Sequence, residues 1–120
     1  MFDYADNRYK AEVIRWLDGD TVELRVDLGQ RVQRQDKFRL ARIDAPETAL
    51  RRGVTPEEKK AGLALKESLS LQYPPGTPVI IATAKTGKYG RYLVEIWVKG
   101  EVQWHNLNDI LLRDGLVDPY

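Results

Sequence analysis

The chain has 120 residues, enough for one hydrophobic core and too few for two. Its 19 basic and 18 acidic side chains leave a net charge of +1, which argues against holding long nucleic acid by counterion release alone; contact with phosphate must then rest on a local site, with a metal supplying the missing positive charge. The absence of cysteine excludes disulfides and thiolate metal sites, and a single histidine disfavours His-rich zinc chemistry.

The hydrophobic fraction of 42% and charged fraction of 31% suit a folded globular domain. No apolar run approaches the roughly 20 residues a membrane-spanning helix needs. The start, Met1-Phe2-Asp3-Tyr4-Ala5-Asp6, is acidic where a signal peptide would be basic and then apolar. The expectation is a single domain over residues 1–120 with its core at 9–117, monomeric and without membrane contact. As written it is cytoplasmic, or secreted if a leader has been removed.

The first strand is predicted over Tyr9 to Leu17, and Asp18-Gly19 signals a hairpin because both residues tolerate positive φ. The second strand alternates, with Val22, Leu24, Val26 and Leu28 on one face and Glu23, Arg25 and Asp27 on the other. A third strand runs from Lys37 to Ile43 with Phe38 and Leu40 inward. Thr55-Pro56-Glu57-Glu58 then reads as an N-cap, a proline at the first helical position and a capping-box glutamate. Ala61, Ala64, Leu65 and Leu69 follow at helical spacing, and Tyr73-Pro74-Pro75-Gly76 stops the helix. Val79-Ile80-Ile81-Ala82 is a buried-strand run, and Lys85 to Gly90 a polar loop. Tyr92 to Val98 forms the fifth strand, with Val102-Gln103-Trp104 extending the pairing. A short helix from Leu107 to Asp114 ends at Gly115. This order is mainly β with two helices (α+β). It fits a five-stranded OB-fold barrel with a helix between strands 3 and 4 and a short C-terminal helix.

Three segments carry candidate chemistry. Asp20 shares a register with Val22 and Leu24, so its carboxylate leans toward the barrel and needs a positive partner. The bland alternative is a turn aspartate bonding its own backbone, and Asp18 reads more simply as serving that turn. In Asp44-Ala45-Pro46-Glu47 the proline holds Ala45 extended, so Asp44 and Glu47 flank a stiff bend. Arg39 and Asp44 are five apart, and strict alternation would place them on opposite faces; one shared site requires a break in the strand before Asp44. Arg91 follows Gly90, and a guanidinium fork there matches two phosphate oxygens. Lys85, Lys88 and Tyr89 would add phosphate contact and base stacking. Each segment alone is ordinary, whereas together they supply hard oxygen donors and cationic forks for a phosphodiester.

Asp18-Gly19-Asp20-Thr21-Val22, Arg39-Leu40 with Ile43-Asp44-Ala45-Pro46-Glu47, and Lys88-Tyr89-Gly90-Arg91 together resemble the staphylococcal nuclease family. The likeness extends over residues 9 to 117. It implies Ca²⁺ held by the Asp20 and Asp44 carboxylates and the Ala45 carbonyl, with Mg²⁺ or Mn²⁺ as alternatives. Asp18 and Thr21 would support that site. The resemblance also implies that Glu47 orients or deprotonates the attacking water and that Arg39 and Arg91 grip the phosphate. The implied reaction is hydrolysis of DNA or RNA to 3′-phosphate products with little sequence preference. A catalytically silent module binding nucleic acid or protein is the alternative. Tyr120 is a candidate for base contact, and Arg42, at an expected apolar strand position, should snorkel or touch phosphate.

Overall fold

The computed structural model describes residues 8–46, 54–84 and 92–120. Among the described residues eight strands and two helices follow in the order β1 (Arg8–Asp18), β2 (Thr21–Asp27), β3 (Gln33–Leu40), β4 (Ile43–Asp44), α1 (Pro56–Gln72), β5 (Pro78–Ala84), β6 (Leu93–Lys99), β7 (Trp104–Asn106), α2 (Leu107–Arg113) and β8 (Asp118–Pro119). The main sheet runs β3-β2-β1-β5-β6-β7, and a parallel pairing of β3 with β6 closes five of these strands into a barrel. The expected OB-fold barrel is therefore present, with α1 between its third and fourth strands.

Strand β1 is long because it serves two partners. Its first half pairs with β5 and most of its length pairs with β2, with register shifts at Val13/Arg15 and Trp16/Asp18 that bend it between them. Inward residues such as Val13, Val22, Leu24, Leu40, Ile81, Val94 and Ile96 are essentially inaccessible and fill the barrel. Val22, Leu24 and Val26 point inward as the alternation requires, but Leu28 lies beyond the end of β2 and is exposed. There Gly29, Gln30 and Arg31 all take left-handed φ values, which turn the chain out of the expected alternation.

The β1–β2 hairpin differs from its sequence reading. Asp18 pairs with Thr21, so Gly19 and Asp20 are the turn residues, and neither is among the positive-φ positions. Glycine is needed at 19 for space instead: an added Cβ would lie 2.4 Å from Leu65 Cδ2 and 3.0 Å from Ala45 Cβ. The close approach is that of α1 over the hairpin. Thr55 caps that helix by accepting a bond from the Glu58 amide, with Pro56 in the first turn. Its buried face is Gly62, Leu65 and Leu69; Ala61 and Ala64 are exposed, one residue off that stripe. Trp16 fixes the helix end by donating its indole N–H to the Tyr73 carbonyl at 3.2 Å.

The expected third strand is two elements. Strand β3 begins earlier, at Gln33, and ends at Leu40; a turn at Ala41 and Arg42 separates it from β4. Residues Gln33 to Gln35 are exposed on both faces, so no hydrophobic alternation marks them. Likewise β6 gains a partner in Trp104–Asn106, and Val102 is left fully outside.

Asn108, the first-turn asparagine of α2, is completely buried. Its Oδ1 accepts the Ile96 amide at 3.0 Å, and its Nδ2 donates to the Ala41 and Val94 carbonyls at 2.9 and 3.0 Å. One side chain thus joins α2, β6 and the β3–β4 turn. Asn108→Ala should destabilise the fold by about 3 kcal/mol, because three buried backbone groups lose their partner. Asn108→Asp should cost at least as much, since it replaces the donor facing two carbonyls by an acceptor. Urea unfolding checks both; a midpoint within error of the unsubstituted chain would contradict this assignment.

Candidate active site

The site is assembled where the β1–β2 turn meets the end of β3. Thr21 pairs with Arg39 across the ladder, and the Asp20 carbonyl accepts the Leu40 amide at 2.8 Å. Asp20 is only 7% exposed. Burial of a bare carboxylate is costly, and here donors surround it. Its Oδ1 accepts the Thr21 hydroxyl at 3.0 Å and its Oδ2 accepts the Ala45 amide at 3.1 Å. Asp20 is therefore a buried acceptor that reaches across to another segment, which goes beyond a turn aspartate serving its own loop.

Arg39 lies between two acids. Its Nη1 is 3.7 Å from Asp20 Oδ2, and its Nη2 is 3.5 Å from Asp44 Oδ1. The same Nη2 donates to the Ile43 carbonyl at 3.4 Å. The Tyr120 ring covers the guanidinium at 5.0 Å. Asp44 itself is largely exposed, leaving its carboxylate accessible to an incoming ligand.

The required break before Asp44 occurs at Arg42, whose φ is +69°. This left-handed residue reverses the alternation and brings Asp44 to the Arg39 side. Arg42 neither snorkels along an apolar surface nor joins the Arg39 site. Its Nε and Nη2 donate to the Glu95 carboxylate at 3.0 and 2.7 Å, and Nη2 also donates to Asp109 at 2.6 Å. These bonds, Glu95 first, push the Arg42 guanidinium above its ordinary pKa and hold it charged. The turn is secured further by the Tyr120 amide donating to the Arg42 carbonyl at 3.0 Å and by β8 pairing with β4.

The structure thus unites Asp20, Thr21, Arg39, Asp44 and the Ala45 main chain. Asp18 flanks them as the Thr21 partner in the hairpin. Glu47, Lys85, Lys88, Tyr89 and Arg91 lie outside the described residues. Among the described residues no three His, Cys, Asp or Glu side chains form a cluster able to hold a metal. The two carboxylates that Arg39 links, Asp20 and Asp44, are hard-oxygen donors of the kind that suits a divalent cation of the calcium or magnesium type. Sequence reasoning missed Arg42 as a clamp and Asn108 as a buried junction. The only local signal is Asn106 capping α2 through the Asp109 amide, which marks the helix start without marking Asn108.

A closed OB-fold barrel carrying paired carboxylates around an arginine at the mouth of one hairpin defines the class. A family model described as staphylococcal nuclease homologue matches residues 37–120, and the chain belongs to that family. Asp20 and Thr21 precede the matched segment, yet the Leu40 amide on the Asp20 carbonyl and the Thr21–Arg39 pairing bind them to it. A protein of Shigella flexneri named "Micrococcal nuclease" is 26% identical over 117 residues, covering 93% of this chain and 59% of the relative. "Protein ParB" of Escherichia coli is 28% identical over 116 residues, covering 92% and 57% respectively. The chain thus spans under three-fifths of the length of either relative.

The left-handed turn yields an ordering that ordinary helix or strand scales invert. Arg42→Gly and Arg42→Ala both lose the Glu95 and Asp109 bonds, but only alanine keeps the unfavourable positive φ. Arg42→Gly should therefore be the more stable of the two by about 1 kcal/mol. Thermal melts of the pair provide the check, and an alanine variant as stable as the glycine variant would show that φ at this turn is unconstrained.

Proposed function

We propose that this chain is a Ca²⁺-dependent phosphodiesterase that cleaves DNA or RNA with little sequence preference, leaving a 3′-phosphate. The observation that carries the reading is the Arg39 guanidinium held between the Asp20 and Asp44 carboxylates at 3.7 and 3.5 Å. Family membership and a relative named as a nuclease support it.

In this reading the Asp20 and Asp44 carboxylates and the Ala45 carbonyl hold the cation, with Mg²⁺ or Mn²⁺ as alternatives. A cation bound there supplies Lewis-acid neutralisation of phosphate charge. Thr21, bonded to Asp20, and Asp18, at the hairpin end, keep the first carboxylate in place. Glu47 accepts a proton from the attacking water as its oxygen bonds to phosphorus. The bond from phosphorus to the 5′ oxygen breaks, and that oxygen takes up a proton. Arg39 and Arg91 bind the phosphate oxygens, where charge grows in the transition state; such preset cations stabilise it without reorganising. Lys85 and Lys88 contact flanking phosphates, and Tyr89 stacks on a base.

Cleavage of a labelled single-stranded DNA oligonucleotide, with Ca²⁺ and with chelator, tests the reading. Glu47→Ala should lower turnover by about 10²–10⁴-fold, and Arg39→Ala or Arg91→Ala by about 10²–10³-fold. Full turnover in Glu47→Ala would remove that residue from the chemistry. Absence of products with Ca²⁺, Mg²⁺ or Mn²⁺ from a folded protein would favour a silent binding module. Calcium at a hundredfold excess over its dissociation constant should also stabilise the fold by about 2.7 kcal/mol, read as a rise in melting temperature. That rise should disappear in Asp20→Ala.

A further inference from the structure

We infer that the outer face of β1, β5, β6 and β7 is a second contact surface for single-stranded nucleic acid, guiding a strand toward the proposed site and resting on that reading. Val94, Ile96 and Val98 are buried in the barrel, so Leu93, Glu95, Trp97 and Lys99 project outward. Pairing aligns their neighbours. Lys10 pairs with Ile80, Ile80 with Trp97, and Trp97 with Asn106, making one transverse row. Lys99 pairs with Trp104 in a second row further out. Arg8 pairs with Ala82, and Ala82 with Glu95, on the side nearer the site. The next residue inward on this face is Leu93, the direct partner of Arg39.

From the proposed phosphate-binding arginine this face passes Leu93 and the arginine-paired Glu95 and then carries rings and a cation, Trp97, Lys99 and Trp104, outward along β6 and β7. Leu93 and Trp97 are separated by about 13 Å along the strand, at roughly 3.3 Å per residue. Trp104 stands 36% exposed, and the Arg8 guanidinium lies 5.1 Å from the Trp97 ring centre. Rings and guanidinium planes both stack on bases, and Lys10 and Lys99, both exposed, supply charge for the backbone. The acids in these rows do not oppose a polyanion unaided. Glu95 is held by Arg42 and Asn106, and Glu12 by Arg25. The exposed cations favour an anionic partner over a neutral peptide, and the exposed Trp104 ring beside them favours one that carries bases, a nucleic-acid strand, over an acidic peptide. It also gives a near-neutral protein a local means of engaging strands longer than its cleavage site.

The test is fluorescence anisotropy of a labelled single-stranded DNA of about twelve nucleotides, with the full chain in chelator so that no cleavage occurs. Trp104→Ala alone should weaken binding by about 5- to 150-fold, the range for loss of one base-stacking ring, and Trp104→Ala combined with Trp97→Ala by more. Lys10→Glu combined with Lys99→Glu changes exposed positions only and guards against misfolding of the tryptophan variant. It should weaken binding and flatten the dependence of log affinity on log salt by at least 1, at about 0.7 for each phosphate no longer neutralised. With Ca²⁺, both double variants should raise KM for the long strand while leaving kcat and the cleavage of a trinucleotide unchanged. Unchanged affinity and salt slope in the lysine variant would overturn the inference, as would equal losses on long and short substrates. Because the binding arm needs no turnover, it decides the inference even if no nuclease activity is found.

Discussion

The arrangement depends on one residue that leaves strand geometry. Arg42 adopts φ +69° between β3 and β4, and this single left-handed step puts Asp44 beside Arg39 rather than on the opposite face. A non-glycine residue in that region carries a cost of about 1–3 kcal/mol and persists only when its surroundings enforce it. The enforcement is visible. Glu95 and Asp109 hold its side chain, the Tyr120 amide bonds its carbonyl, and Asn108 bonds the carbonyl of Ala41 just before it. The C-terminal helix therefore serves the site through the turn that presents Asp44, although no residue of that helix is among the proposed ligands.

The electrostatic design follows from that turn. Bringing two carboxylates together is unfavourable unless a cation intervenes. Arg39 lies between Asp20 and Asp44, with the Tyr120 ring against its guanidinium. The two acids differ in environment. Asp20 is buried and fixed by the Thr21 hydroxyl and the Ala45 amide, whereas Asp44 is largely exposed. One carboxylate is thus preorganised while the other remains open to solvent and ligand. Space enforces the same geometry from beneath, because Gly19 lets Leu65 and Ala45 close on the hairpin that carries Asp20.

The net charge of +1 takes on a different meaning once the charges are placed. Several acids are occupied by arginine partners within the fold: Glu12 by Arg25, Glu23 by Arg15, and Glu95 by Arg42. Each such pair removes one charge of either sign, so the overall balance is unchanged and only the placement of the remaining charges differs. A protein close to neutral overall can still place exposed cations on one face, as with Lys10 and Lys99 outside the barrel.

Much of the barrel was legible from residue order. Strand alternation in Val22-Glu23-Leu24-Arg25-Val26, the Thr55-Pro56 helix start and the Gly115 stop are local signals, and local backbone preferences carried them into the fold. The motif residues Asp20, Arg39 and Asp44 were also legible, as was the need for a break between the last two. Their convergence was not, since register across β2–β3 and the hand of the Ala41–Arg42 turn depend on partners distant in sequence. Gln33 to Gln35 form strand without an apolar face because pairing with β2 supplies their hydrogen bonds. Sequence alone determined which chemical groups this protein carries and the order of its five barrel strands and two helices. Tertiary structure decided which of them meet, because Arg39 reaches both carboxylates only when barrel closure, helix α1 and the clamped Arg42 turn act on the same small region.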